Sequence, residues 1–309
     1  MQEHKAEILK GLKATHKYIS SRFFYDENGD QIFQEIMKMP EYYIPEAEGQ
    51  IIQNQSDKIS SALRSKNTAL NVVELGAGDG TKTVHFLKTL YEELELTYTP
   101  LDISPHILNT NKNHIQSQLP NLKIQPKAGN YFETLEQVAR SEGDKLYLFL
   151  GTTIGNYELN DAVQFTKWLQ NMMLPNDSLI IAFDLKKEPR KIMKAYDDPQ
   201  GITKRFNLNL LDRLNRELDA NFDKNNFRHF PAYNPVNGEM KSYLISDIEQ
   251  NVTIAGEHIH FKSFEPIYTE ISLKYSFDKI RDLVQQSNLK IEDLFTNENH
   301  RYTWALMTK

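Results

Sequence analysis

The chain has 309 residues, with 36 Lys+Arg against 42 Asp+Glu, and therefore a formal net charge of −6. It contains no cysteine, which excludes a disulfide scaffold, a thiolate metal site and a cysteine nucleophile together. With 39% hydrophobic residues it can bury a core, no apolar run approaches the ~20 residues of a membrane span, and a mildly acidic balance disfavours nucleic acid as partner.

Residues 1–65 read as helices. Ile8, Leu9 and Leu12 form one apolar stripe, and Ile32, Phe33, Ile36 and Met37 a second. Between them Asn28-Gly29 reads as a turn, Asp30 as the cap of the second helix and Pro40 as its stop. A third helix runs through Ile51, Ile52, Ile59 and Leu63. The opening Met1–Lys13 is charged and lacks the apolar stretch of a secretory signal, so the expected compartment is the cytoplasm.

From residue 71 strands alternate with helical stretches: strands at 71–75, 96–103, 122–127, 146–150 and 178–185, and a helix over 83–93. That rhythm predicts βαβ units and an α/β, doubly wound, mostly parallel sheet over 66–186. After 187 the rhythm breaks. A helix opening past Gly201 runs to Leu218, and a loop rich in Pro, Asn and Gly (Pro231, Asn234-Pro235, Asn237-Gly238) leads to strands near 241–245, 252–254 and 267–275. We read 187–270 as an inserted α+β domain that packs with the N-terminal helices, and 271–309 as the helix and two strands that complete the first sheet.

Glu74-Leu-Gly76-Ala-Gly78-Asp-Gly80 lies where a strand meets a helix. Glycines there allow a tight turn and close approach of a ligand, at the carboxyl edge of a sheet where α/β ligands bind. A nicotinamide fingerprint needs Gly or Ala at position 81, which is Thr81. The pattern E-x-G-x-G-x-G instead resembles motif I of class I S-adenosylmethionine-dependent methyltransferases, with Asp102 at the next strand end as an acceptor for a ribose diol.

Longer stretches resemble one family of such enzymes, the histidine Nα-methyltransferases of ergothioneine biosynthesis and their fungal relatives acting on tryptophan-derived amines. They are Phe23-Phe-Tyr-Asp-Glu-Asn-Gly29, Met39-Pro-Glu-Tyr-Tyr43, Glu74–Gly80, Leu150-Gly-Thr-Thr-Ile-Gly-Asn156, Ala195-Tyr-Asp-Asp198, Phe206-Asn-Leu-Asn209, Asn215-Arg-Glu-Leu218 and Tyr268-Thr-Glu-Ile-Ser272. They occur in family order along nearly the whole chain.

The resemblance implies Nα-methylation of L-histidine to hercynine, with S-adenosyl-L-methionine as cofactor and Asn156 and Tyr196 as catalytic residues clamping the amino and carboxylate groups. It implies substrate contacts from Tyr25 (through water), Tyr42, Ser242, Glu270 and Ser272, with the last two reading the imidazole. Cofactor contacts fall to Tyr42, Glu74, Gly76, Gly78, Lys82, Asp102, Asn130, Tyr131 and Gly151. Two departures stand out: Asn130-Tyr131 replaces the family's usual Asp-Phe at the adenine, and Ser242 stands where histidine enzymes commonly have Met.

Physical chemistry agrees with parts of this. Methyl transfer to an amine needs alignment and an uncharged nitrogen, and the carbonyl of Asn156 can accept an N–H without the full charge that favours ammonium. Glu270 and Ser272, at i and i+2 on a strand, share a face. His258-Ile-His260 resembles a metal pair but has no third ligand near in sequence, so no metal is expected. The competing readings are methylation of another amino acid or aromatic amine such as tryptophan, and a cofactor-binding protein without catalysis. The expected state is a monomer, without nucleic acid or membrane.

Overall fold

The computed structural model describes residues 2–64 and 69–309. In chain order its helices and strands are α1 (Gln2–Leu12), α2 (Glu27–Ile36), α3 (Ile44–Arg64), β1 (Ala69–Leu75), α4 (Thr83–Tyr91), β2 (Glu95–Asp102), α5 (Pro105–Gln118), β3 (Lys123–Ile124) and β4 (Lys127–Ala128). There follow α6 (Tyr131–Ala139), β5 (Lys145–Phe149), α7 (Leu159–Met172), β6 (Ser178–Asp184), α8 (Pro189–Tyr196), α9 (Ile202–Leu218), β7 (Phe227–Tyr233) and β8 (Glu239–Ser246). The last are β9 (Gln250–Ile254), β10 (Glu257–Phe261), β11 (Pro266–Leu273), α10 (Phe277–Gln286), β12 (Lys290–Thr296) and β13 (Tyr302–Thr308).

The chain divides into two compact units, one of 44–185 with 273–309 and one of 1–43 with 186–272. In the first, the strands lie in the order β12-β13-β6-β5-β1-β2-β3, with β4 also on β2. The five pairings among β1–β6 are parallel, whereas β13 is antiparallel to both β6 and β12. This is the α/β, Rossmann-like doubly wound sheet expected. Strand β6 is buried at every residue and apolar without a break from Leu179 to Phe183, the pattern of a parallel strand covered by helices on both faces. The chain winds outward from β1 through β2 to β3 and β4, then returns to β5, which places a topological switch point between β1 and β5.

The strand expected over 122–127 is split into β3 and β4. Pro100 in β2 and Pro126 opposite both lack an N–H, so the ladder loses rungs where they lie. Helix α3 groups with this unit rather than with the N-terminal helices. Its polar residues explain why: Ser60 donates to Glu93 (3.1 Å), and Gln50 accepts from Asn297 (2.9 Å). The boundary expected at 65/66 falls among residues outside the described ones.

The other unit packs α1, α2 and α9 against a three-stranded sheet, β11-β8-β7, and the β9–β10 hairpin. Asp26, not Asp30, caps α2: its carboxylate accepts from Gly29 N at 2.7 Å, so Asn28-Gly29 belongs to the first helical turn. Asp26 also accepts from Asn209 (2.8 Å) and Arg216, while Asn28 donates to Asn209 (2.6 Å). The Phe23–Gly29, Phe206–Asn209 and Asn215–Leu218 stretches therefore form one interlocked joint between α2 and α9. The segment expected as a loop around Pro231 is strand β7, and Pro231 is tolerated because β7 is an edge of the sheet.

Candidate functional site

In the sheet unit, parallel pairing brings the carboxyl ends of β4, β2, β1 and β5 to one edge in that lateral order. Those ends lead directly to Asn130, Asp102, Gly76 and Gly151, so four of the expected cofactor positions form a row about 14 Å long, at the ~4.8 Å spacing of neighbouring strands. The row ends at the switch point.

Gly76 has φ +68°, and a Cβ built there meets nothing within 4 Å, so the loop presents bare backbone to open space. Gly80 differs. Its Cβ would come to 2.9 Å from Asn111 Nδ2. Asn111, fully buried in α5, donates to Gly78 O (3.1 Å) and Ala77 O (3.4 Å) and fixes the loop from below. Gly76 N bonds Leu101 O (2.8 Å), and Gly78 N bonds Asp102 Oδ2 (3.1 Å), which ties the loop to the end of β2.

Glu74 does not face the cradle. It is 4% exposed, and its two oxygens accept from Thr83 Oγ1 (2.7 Å) and Tyr98 OH (2.5 Å). Burial pushes its carboxyl up to about 7, although both hydrogen bonds and Lys82 act against the rise. Between the ordinary value of 4.5 and about 7 the folded state keeps a proton that the unfolded chain has lost. Stability therefore falls as pH rises across that window, by on the order of 3 kcal/mol. Glu74→Gln removes this titration. Thermal midpoints of the parent should decline relative to E74Q from about pH 5 to about pH 7; parallel curves would contradict the burial argument.

Lys82 pairs with Glu48 at 2.7 Å, and Glu48, 1% exposed, also accepts from Tyr302 OH (2.6 Å). The ammonium keeps further donors for a second carboxylate. The carbonyl of Asn130 accepts from Phe132 N (3.0 Å) and caps α6. Tyr131 rests edge-on against Phe165, and its hydroxyl lies 2.9 Å from that of Tyr157.

After β5 the chain makes two left-handed residues, Gly151 (φ +70°) and Thr152 (φ +63°), before a 3-10 turn, Thr153–Asn156. A β-branched residue at positive φ costs on the order of 1–3 kcal/mol, a strain typical of ligand-binding turns. The buried Tyr275 hydroxyl donates to Ile154 O (3.3 Å) and braces the turn. Asn156, half-buried, ends it at the edge that carries the glycine loop.

In the helical unit, Tyr25, Tyr196 and Glu270 come together with Asp30. The Tyr25 ring packs on Phe33 (5.7 Å) and Phe206 (5.8 Å). Tyr25 is 44% exposed as a residue, but burial of its hydroxyl end, then the negative charges of Glu270 and Asp30 and the Tyr196 hydroxyl, push that hydroxyl above the ordinary tyrosine range, so Tyr25 stays a donor. Glu270 is half-buried and Ser272 is 5% exposed, so their strand face is not a solvated one. Tyr43 is the buried member of the Tyr42-Tyr43 pair, with Lys187 Nζ 2.9 Å from its hydroxyl; Tyr42 is half-buried. Asp198 caps α9: burial works against its charge, but N–H bonds from Thr203 (2.8 Å) and Ile202 (2.9 Å) hold its carboxyl below the ordinary range.

Ser242 is a correction. It alternates with Met240 and Leu244 in the buried row of β8, is 1% exposed, and its carbonyl accepts from Thr269 (3.0 Å). The neighbouring Tyr243 meets Tyr268, which shares its face with Glu270 and Ser272. Ser242 therefore points away from the face that carries Glu270.

His258 and His260 lie on β10 and meet Thr253 and Asn251 across the hairpin (3.2 Å each). Among the described residues no cluster of three or more potential ligands could hold a metal, and no helix is long and apolar enough to cross a membrane. Sequence reasoning missed Glu48, Asn111 and Tyr157, and it read Asp30 only as a helix cap. The first two had a legible signal, each being a polar residue inside an apolar helical stripe: Glu48 among Ile44, Ala47 and Ile51, and Asn111 between Leu108 and Ile115.

The model of a family described as histidine-specific, SAM-dependent methyltransferases matches residues 4–309. The chain belongs to that family. S-adenosylmethionine is accordingly its methyl donor, and the open glycine cradle, the acid ending β2 and the aromatic start of α6 fit that molecule. The chain is 34% identical to a histidine N-alpha-methyltransferase of Mycobacterium tuberculosis, over 88% of its length and 84% of the relative's. It is 30% identical to the protein of that name from Mycolicibacterium smegmatis, over 93% and 88%. Ergothioneine biosynthesis protein 1 of Schizosaccharomyces pombe is 29% identical over 94% of this chain, which spans 39% of that longer protein.

Proposed function

We propose that this methyltransferase converts L-histidine to N,N,N-trimethylhistidine (hercynine) by successive transfers to the α-nitrogen, in ergothioneine biosynthesis, and that it works as a cytoplasmic monomer. The observation that carries the choice of histidine is the polar group formed by Glu270 with Tyr25, Asp30 and Tyr196 on a face that also holds Ser272. An imidazole offers two ring nitrogens, and a carboxylate with a hydroxyl can satisfy both, whereas an indole has one ring N–H and would leave the half-buried Glu270 or the buried Ser272 without a ring partner. The departure at Ser242, which motivated tryptophan as acceptor, loses force because that side chain points to the opposite face.

S-adenosylmethionine supplies, when bound, an electrophilic methyl group on a sulfonium. Backbone at Gly76, Gly78 and Gly151 cradles its amino-acid end with Lys82 at the carboxylate, Asp102 takes the ribose hydroxyls, and Asn130 and Tyr131 take the adenine. Glu74 acts from beneath, through Thr83 and Tyr98, and holds the loop in shape. Asn156 accepts a hydrogen bond from the uncharged amine and aims its lone pair. Tyr196 donates to the substrate carboxylate, Glu270 and Ser272 hold the ring, Tyr25 reaches it through water, and Tyr42 closes the apolar side. No residue needs to form a covalent bond, so positioning supplies most of the acceleration.

Purified protein given histidine and S-adenosylmethionine should accumulate histidine bearing up to three added methyl groups, read by mass spectrometry. Cofactor binding with no methylated amino acid would leave the non-catalytic reading in its place.

A further inference from the structure

The hydroxyls of Tyr131 and Tyr157 lie 2.9 Å apart. Tyr131 opens α6 directly after Asn130, and Tyr157 directly follows Asn156 at the end of the 3-10 turn. Both rings pack on Phe165, Tyr157 nearly parallel to it (15° between planes, 5.2 Å) and Tyr131 edge-on (6.0 Å). Phe165 in turn contacts Phe149, at the end of β5, at 4.7 Å. The hydrogen bond thus joins two segments that leave different strands, β4 and β5, on the same sheet edge. Burial and the Tyr131 hydroxyl keep Tyr157 from ionising at any working pH, so the link is a neutral hydrogen bond throughout.

From this geometry we infer that the Tyr131–Tyr157 hydrogen bond is a latch through which seating of the adenine at Asn130-Tyr131 fixes the turn that presents Asn156, so that cofactor and amino-acid binding reinforce one another. The inference rests on the role proposed above for Asn156. The turn needs such bracing because it starts from the left-handed Thr152, a conformation that persists only where surrounding contacts enforce it. Tyr275 holds the turn at Ile154 and Tyr157 holds it at the residue beside Asn156. By thermodynamic linkage the effect is reciprocal, so histidine tightens the cofactor as much as the cofactor tightens histidine.

The test is a double-mutant cycle on the full chain with Tyr131→Phe, Tyr157→Phe and the double variant, each of which keeps the rings and loses only the hydroxyls. Calorimetry measures histidine affinity with and without saturating S-adenosylhomocysteine. The ratio of the two affinities should exceed one in the parent and fall about three- to tenfold in either single variant, the scale of one hydrogen bond. The double variant should fall no further, since a single bond is lost in all three. Thermal midpoints alone, which any structural contact would move, do not distinguish the variants; the affinity ratio does. An unchanged ratio in Tyr157→Phe, or losses that multiply in the double variant, would overturn the latch. Asn156→Ala in the same assay separates the two levels of the claim. If it leaves histidine affinity intact, the role of Asn156 fails and the latch with it; if it weakens histidine while the tyrosine variants keep the full ratio, the latch alone fails.

Discussion

Asn156→Asp should slow methyl transfer at neutral pH and displace the rise of kcat to higher pH by about one pH unit or more. The substitution preserves size and an accepting oxygen but exchanges the amide NH2 for a second, charged oxygen, and a carboxylate beside the substrate amine stabilises the ammonium form, whose nitrogen has no lone pair to offer. Asn156→Ala removes the acceptor altogether and should cost about 100-fold in kcat/KM for histidine, the usual scale for a lost orienting group, with little change in S-adenosylmethionine affinity. The comparison that decides is the pH–rate profile of the Asp variant at saturating histidine. A profile superimposable on the parent's, or an equal loss of cofactor affinity in the Ala variant, would show that Asn156 does not hold the amine.

The second large effect is expected at Glu270. Its half-buried carboxylate lies close enough to Tyr25 to raise that hydroxyl's pKa, so the group is incompletely hydrated before substrate arrives. Glu270→Ala should raise KM for histidine by about 100-fold or more, because truncating one partner of a desolvated charged hydrogen bond costs about 2–5 kcal/mol. It should also lower the preference for histidine over tryptophan, since discrimination by ring nitrogens depends on buried groups that go unpaired with the wrong ligand. Binding of S-adenosylhomocysteine should stay within about twofold of the parent. If histidine and cofactor affinities drop together, Glu270 supports the fold rather than the substrate.

Much of the fold was legible in the chain itself. Alternation of apolar runs with amphipathic stretches announced the parallel sheet, and the position of Glu74–Gly80 between a strand and a helix put the glycine loop at the sheet's carboxyl edge. Single-residue roles depended more on partners distant in sequence. Asp30 reads locally as a helix cap, but Asp26 takes that place because Asn209 and Arg216 on α9 fix it there. Glu74 reads as a ligand residue, and only the fold shows that Tyr98, 24 positions later, turns it inward. Pro231 reads as a loop because proline lacks a donor, yet an edge strand needs no donor on its outer side. Ser242 was misplaced by half a strand period: a shift of one residue would bring a side chain to the other face, and the chain alone offers no register for β8 against β11.

Substrate choice is read in one mixture: all twenty amino acids at equal concentration, limiting S-adenosylmethionine, and tandem mass spectrometry to locate each methyl group. Methyl groups should accumulate on histidine, on its α-nitrogen and not on the ring, with tryptophan left essentially unmodified. Methyl groups on the imidazole, or another amino acid consumed ahead of histidine, would contradict it.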